Sequence, residues 1–437
     1  MIAKPRAAKV TSMLTLTRAG RSALTETRVF GVATAVCVLH AIDDAFIGRQ
    51  PGDGLGRHAL AGVLSVAIGA LAAFAFPRVR PGVRTALAVT LGVPALLNGA
   101  MHVAHIGLDA PAHSDLTGVG AAAAGLVLLG LAATIPWRHR GRGADTVRAR
   151  WLARAVALVG APALAFLVVL PIGLAILEVH KPRERVGSPP DAAYRDVTFR
   201  STDGLKLSGW YRAPHNGATV LVVHGGGGDR NGAVRHARML VRHGYGVLLY
   251  DSRGRGRSEG SPNSYGWDWE KDAAGALDFL RRQPQTDPRR IAALGLSSGA
   301  DTLLDLAARR GDQLAAVVSD GAALRTLEDA RRVGMNGPDT ASASVMFGAI
   351  RVLSGQHPSR PLADLVGEIT APTLLISAGR SAERDFNRLY ARTAPAHLRH
   401  WNLPSAGHTA ALRQFPAAYE RRVMGFLDGS LQAGGDR

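Results

Sequence analysis

The chain of 437 residues has a single cysteine, Cys37. That excludes an intramolecular disulfide, a CxxC redox pair and a thiolate zinc cage, and leaves any metal to His and carboxylates. Lysine is almost missing, because all but five of the 52 basic residues are Arg. Acidic residues are also scarce, 34 against those 52, and the formal charge is +18. The excess is shared about equally by the first 180 residues and the remainder, so no single basic face is implied and no nucleic-acid partner is expected.

Charge is nearly absent from five stretches of the amino-terminal part, at 29–47, 59–76, 85–108, 116–135 and 155–177. Each is close to the ~20 residues that cross a hydrocarbon core. Several apolar helices of that length in succession need a shield on every face, so the expectation is a transmembrane helical domain over 29–178 after a basic segment, 1–28. The basic segment is too long for a cleavable signal peptide, and Asp43 and Asp44 interrupt the apolar run behind it. Lys and Arg cluster in 1–28, 77–84 and 137–150 and are sparse in the intervening loops. The amino terminus is therefore expected in the cytoplasm and the catalytic part outside it, although Lys181, Arg183 and Arg185 stand against that orientation.

Polar residues inside the spans fall at one depth: His40, Asp43 and Asp44 in the first, His58 at the end of the second, Asn98, His102 and His105 in the third, Asp115 at the start of the fourth. Such a set can hold a metal, relay protons or hydrogen-bond the helices together. Interhelical bonding is the favoured reading, and no metal or cofactor is assigned. Residues 179–195, with KPRERVGSPPD, read as a linker.

From residue 196 to about 430, short apolar runs at 218–224, 247–250, 291–296, 314–318 and 373–377 alternate with amphipathic stretches such as 269–282 and 298–310. Continuous apolar runs separated by helices predict an α/β domain on a mostly parallel sheet. The run IAALGL leads into GLSSG, so Ser297 sits between two glycines where a strand turns into a helix. That context makes the G-x-S-x-G pattern a nucleophile elbow. HGGGGD, 224–229, closes an earlier strand with glycines that let backbone amides approach a substrate oxygen, and Gly226 with the amide of Ser298 is the expected oxyanion hole. DSRGRGRSEG closes the next strand, with Asp251 and Arg253 read as holding that loop. PSAGHT places His408 on a loop far downstream.

These motifs, in this order, resemble the α/β-hydrolase superfamily, in particular esterase and S33-peptidase-like serine hydrolases with a D-x-R-G-x-G-x-S loop. The resemblance spans about 196–430 and none of the apolar stretches. It implies a Ser–His–acid triad and an acyl-enzyme, whereas an Asp at the elbow would have implied dehalogenase or epoxide-hydrolase chemistry. Family members commonly carry an Asp three residues after the Gly that follows the strand TLLIS. Here Gly379 is followed by Arg380, Ser381 and Ala382, so Glu383 is the first candidate acid, with Asp385 and Asp320 as alternatives. Residues 321–360 are read as a small cap in which Met346, Phe347 and Ile350 either line a pocket or pack on the core. His236 and His243 are read as solvated surface, and Trp267 and Trp269 as packing against the sheet.

The function expected is a membrane-anchored serine hydrolase acting on an ester, thioester or amide in a small-molecule, lipid or peptide substrate. The alternative is a transport or sensor protein whose hydrolase-like domain has lost activity and only binds.

Overall fold

The computed structural model describes residues 6–43, 55–106, 113–138, 165–181, 183–261, 266–379 and 382–435. They divide into two compact units, one of Met1–Arg49, Leu55–Leu177 and Val345–Ala349, the other of Gln50–Gly54, Glu178–Ser344 and Ile350–Arg437.

The first unit is helical: α1 (Arg6–Ile42), α2 (Leu55–Ala75), α3 (Pro81–Ile106), α4 (His113–Arg138) and α5 (Leu170–Val179). Glycines set the distance between α3 and α4. A Cβ on Gly99 would lie 2.5 Å from the Gly118 carbonyl oxygen, and one on Gly125 would lie 2.6 Å from the Leu96 amide. Small residues at such a seam let two backbones approach where apolar burial alone gives little drive. Phe30 and Phe76 stack at 3.9 Å beside it. Three stretches among the described residues are long and apolar enough to cross a membrane: Leu24–Ile42, Pro81–Ala100 and Leu116–Pro136. The second and fifth expected spans appear only as the shorter Ser65–Arg78 and Leu167–Val179, because the side chains of 55–61 and all of 151–164 lie outside the described residues. Asp44 is outside them as well, as are the side chains of His58, His105 and Asp115.

The second unit is built on an eight-stranded sheet of order β1-β2-β4-β3-β5-β6-β7-β8. Its strands are β1 (Arg195–Arg200), β2 (Lys206–Arg212), β3 (Thr219–Val223), β4 (Gly246–Tyr250), β5 (Ile291–Leu296), β6 (Ala316–Asp320), β7 (Thr373–Ala378) and β8 (Leu398–Leu403). β1 and β2 are antiparallel, and β3 to β8 run parallel. Helices α6 (Val234–Arg242), α7 (Trp269–Arg281), α8 (Ser298–Arg310), α9 (Pro338–Ser354, of which Val345–Ala349 is grouped with the first unit), α10 (Ala382–Thr393) and α11 (Pro416–Gly435) follow in chain order. The pleat divides each central strand between two cores: Leu221, Val223 and Ala293 pack with Leu277, Leu303 and Tyr390, whereas Val220, Val222 and Leu294 pack with Leu240, Tyr419 and Leu427. Burial on both faces explains why these strands read as unbroken apolar runs. Truncating a central residue such as Leu294 to Ala costs about 2–5 kcal/mol, since packed helices leave little room to collapse.

Candidate active site

All the loops that carry the motifs leave the carboxyl ends of the parallel strands, so the topology collects them at one edge of the sheet. Ser297 is the turn residue between β5 and α8. Its backbone has φ 53° and ψ −121°, a conformation that costs a non-glycine residue on the order of 1–3 kcal/mol. Flanking glycines make the bend possible. A Cβ on Gly295 would lie 2.3 Å from the Gly299 carbonyl oxygen, and one on Gly299 would lie 2.5 Å from the Val223 carbonyl oxygen. The Ser297 amide donates to the Asp320 carbonyl at 2.8 Å and fixes the strained turn to the neighbouring strand. Only one other non-glycine residue among those described has positive φ. It is Thr409 at 49°, beside His408, so the unusual backbone is confined to this site.

His408 lies on the loop after β8, with Nε2 2.9 Å from Ser297 Oγ and Nδ1 2.6 Å from Glu383 Oε2. A carboxylate on Nδ1 keeps the proton there, so Nε2 is left to accept from the serine hydroxyl. Glu383 sits in the first turn of α10 and is buried, and its other oxygen accepts from the Ala378 amide at 2.6 Å. The hydrogen bond to Glu383 raises the His408 pKa first, followed by the field of Glu383, Asp320 and Asp301, against the opposing effect of burial. Gly321, at φ 85°, passes beneath the ring, where a Cβ would stand 3.0 Å from His408 Cε1.

The other acid candidates are placed elsewhere. Asp385 is 40% exposed and pairs with Arg384 at 2.9 Å. Asp320 ends β6 with Oδ2 accepting from Tyr419 at 2.8 Å, and burial pushes its pKa up to about 7.

The loop after β3 runs against the elbow. A Cβ on Gly226 would be 2.7 Å from Ser298 Oγ and 3.5 Å from its Cβ, so the loop lies directly against the first residue of α8. His224, at its start, is buried and its pKa is lowered to about 4 by desolvation. Its Nδ1 bonds the Gly225 carbonyl at 2.7 Å and its Nε2 accepts from the Ser252 amide at 3.0 Å, so one neutral tautomer ties two loops together. Arg230 and Asp251 make the same tie with charge: Nε to Oδ1 at 2.9 Å and Nη2 to Oδ2 at 2.6 Å, both side chains fully buried. Arg253 is held by Asp272 at 2.7 Å and by Asp203 at 2.9 Å. Asp251 and Arg253 therefore hold their loop, but with two different partners rather than with each other. Sequence reading missed Arg230, Tyr419 and Gly321, none of which belongs to a motif, and gave no role to Thr409 at the end of PSAGHT. Lys181, from the linker, reaches the Gly226 carbonyl at 3.4 Å.

His236 is not solvated: it is 4% exposed on the inner face of α6, edge-on to Tyr419 at 5.6 Å, and desolvation lowers its pKa to about 4. The Arg residues around it in the sequence belong to the opposite face of the helix. His243 does reach solvent, where it meets Glu420 at 2.9 Å. Trp267 and Trp269 are buried, Trp269 edge-on to His224 at 5.3 Å, and Phe347 and Ile350 are buried on α9.

A parallel sheet with an antiparallel edge, a serine elbow after β5 and a histidine after β8 give the second unit the α/β-hydrolase fold. Residues 181–371 match the X-Pro dipeptidyl-peptidase (S15) family. An uncharacterized protein of Mycobacterium tuberculosis is 34% identical over 199 residues, 43% of this chain and 62% of the relative. The thiohydrolase aneE of Aspergillus aculeatus is 35% identical over 122 residues, 27% of this chain and 38% of the relative. The chain thus spans less than two thirds of the length of these relatives. Among solved structures, the esterase Pf2001 of Pyrococcus furiosus aligns with 57% of this chain and 96% of its own at 24% identity and a TM-score of 0.47.

Proposed function

We propose that the chain is a membrane-anchored serine hydrolase that cleaves an ester, thioester or amide bond through Ser297, His408 and Glu383. The observation that carries this reading is the unbroken line from Ser297 Oγ through both His408 nitrogens to Glu383, at 2.9 and 2.6 Å. His408 takes the serine proton as Oγ attacks the acyl carbon, and Glu383 stabilises the imidazolium that forms. The Gly226 and Ser298 amides receive the developing oxyanion. His408 then passes its proton to the leaving oxygen, sulfur or nitrogen, and a water molecule activated by the same imidazole releases the acyl group. The S15 match is compatible with an amide substrate and the thiohydrolase relative with a thioester. A carboxylate on His408 favours catalysis over a hydrolase-like domain that only binds.

The three long apolar helices support anchoring, and the Arg-rich segments near them support a cytoplasmic amino terminus with the second unit on the opposite side. The test is a fluorophosphonate probe on the full chain in detergent. Labelling should vanish in Ser297→Ala and fall steeply in His408→Ala, and labelling that survives Ser297→Ala would overturn the assignment.

A further inference from the structure

The helical unit contains a cavity of about 250 Å³ whose wall includes Thr34, Cys37, His40, Ile68, Asn98 and Ile172. Among the described residues no Asp, Glu, Lys or Arg lines it, and most of the remaining wall is aliphatic. A dry apolar void of roughly 150 Å³ takes a benzene ring, so this volume has room for about ten carbon atoms.

The polar groups at one end form a line with a direction. Thr117 donates to Asp43 Oδ2 at 2.5 Å, so its oxygen is left to accept from His40 Nδ1 at 3.0 Å. His40 Nε2 then accepts from Asn98 Nδ2 at 3.0 Å. Side chains from α1, α3 and α4 together hold one amide, that of Asn98, which lies in the cavity wall. Asn98 makes no other hydrogen bond among the described residues, so its carbonyl oxygen and second N–H remain available. Thr34, 3% exposed, also lines the cavity with its hydroxyl buried and unpartnered among the described residues. It sits six positions before His40 on α1, about 9 Å along the axis at ~1.5 Å per residue. If these residues only bonded the helices together, the set would close on itself. Here it ends on polar atoms that face an apolar space.

The geometry points to a binding site for an uncharged, single-chain molecule of about ten carbons with a hydroxyl head. The head donates to the Asn98 carbonyl and accepts from its amide, while the chain lies along α1 towards Thr34. A charged head is disfavoured because no carboxylate, Lys or Arg among the described residues lines the wall and desolvating an ion is costly. This site stands independently of the hydrolase reading.

Cys37 gives a native reporter, since it is the only thiol in the chain and lies in the wall. The full chain in nanodiscs is alkylated with N-ethylmaleimide in the presence of 1-decanol, decane or, at pH 8, decanoate. Decanol should slow Cys37 alkylation saturably, at least about fivefold more than decane at equal membrane concentration, with decanoate the weakest. Asn98→Leu should erase the preference for decanol over decane. Ala95→Phe should slow alkylation without ligand and remove any further protection, and Ser65→Phe repeats that test from α2 if the first variant does not fold. Protection that grows without saturation, or that is equal for decane and decanol in the unmodified chain, would show only bilayer partition and overturn the site. So would a decanol preference that survives Asn98→Leu.

Discussion

The α/β unit and the polar line of the helical unit bury polar groups in different ways, although the helical unit also buries Glu26 within 3.7 Å of Arg84 and 3.9 Å of Arg138. In the α/β unit the buried partners are ions: Arg230 with Asp251 at 2.6 Å, Arg253 with Asp272 at 2.7 Å and Arg325 with Asp305 at 3.0 Å, all beneath loops at the carboxyl edge of the sheet. In the helical unit the line from Asp43 to Asn98 runs through a hydroxyl, an imidazole and an amide. The difference follows from what each set must hold. Loops without a ladder of backbone bonds need directional anchors, and a bidentate guanidinium fixes both distance and plane. Helices already satisfy their own backbone, so weaker bonds that set register suffice between them.

If charge is the working element of the α/β unit, the largest loss should come where charge meets the reacting atoms. Glu383→Gln keeps the shape of the acid but removes the ion that orients and supports His408. A fall in kcat of about 10⁴-fold is expected, as for the equivalent change in other serine triads. The profile of rate against pH gives a second reading. Glu383 raises the His408 pKa, and the base works only when unprotonated, so the wild-type rate should rise with pH along an acidic limb above the ordinary value of 6.5. In the variant that limb should move to lower pH. A limb that stays in place would detach Glu383 from His408, whatever the size of the rate loss.

The acid also shows where sequence reading reaches its limit. Motifs with strong local rules were legible: the elbow needs glycines at 295 and 299, and the resemblance fixed the order of serine, acid and histidine. The choice between Glu383 and Asp385 has no such rule, because it turns on which face of α10 looks inward. A signal was present, since Glu383 continues the buried stripe of Phe386, Asn387 and Tyr390 at helical spacing and Asp385 lies off it. The same oversight misplaced His236, which shares the inner face of α6 with Ala237 and Leu240. Among strands, β1 (RDVTFR) escaped notice because it alternates exposed and buried residues on an edge, unlike the fully buried runs. The strand predicted over 314–318 lies instead at Ala316–Asp320, because pairing with β5 carries it past the apolar run through Ser319 to Asp320. Arg230 was illegible because its partner is 21 residues away and only the folded loops bring them together.

Arg230→Met is the next largest test and acts on stability. It leaves Asp251 buried without its cation, which costs about 3–5 kcal/mol when one partner of such a pair is removed. Urea unfolding of the α/β unit, followed by tryptophan fluorescence, would read it. The double change Arg230→Met with Asp251→Leu should recover much of the loss, because neither charge is then stranded.

Asp320 tests the same rule from the other side, being a buried carboxylate that accepts from a tyrosine hydroxyl and has no cation within bonding distance among the described residues. Its pKa of about 7 in the folded chain exceeds the ~3.9 of an unfolded aspartate. The folded state therefore holds its proton more tightly. The stability this contributes is full below pH ~4 and is lost as pH rises through 7. Asp320→Asn cannot ionise and still accepts from Tyr419, so at pH 8 it should exceed wild type by on the order of 2–4 kcal/mol, with the gap closing towards pH 4. A variant less stable than wild type at pH 8 would mean that the charge is compensated.

The smallest effect belongs to the helical unit, and its size decides whether the contrast is real. Thr117→Val keeps the volume of the side chain and removes the hydroxyl that joins His40 to Asp43. Interhelical hydrogen bonds inside bilayers average about 0.6 kcal/mol and reach about 1.7, because the separated helices also find partners. Unfolding in mixed micelles should place Thr117→Val in that range, several-fold below Arg230→Met. A loss of 3 kcal/mol or more would mean that Asp43 carries a charge stranded by the change. The line of polar groups would then be ionic, and both units would hold their buried polar residues by the same means.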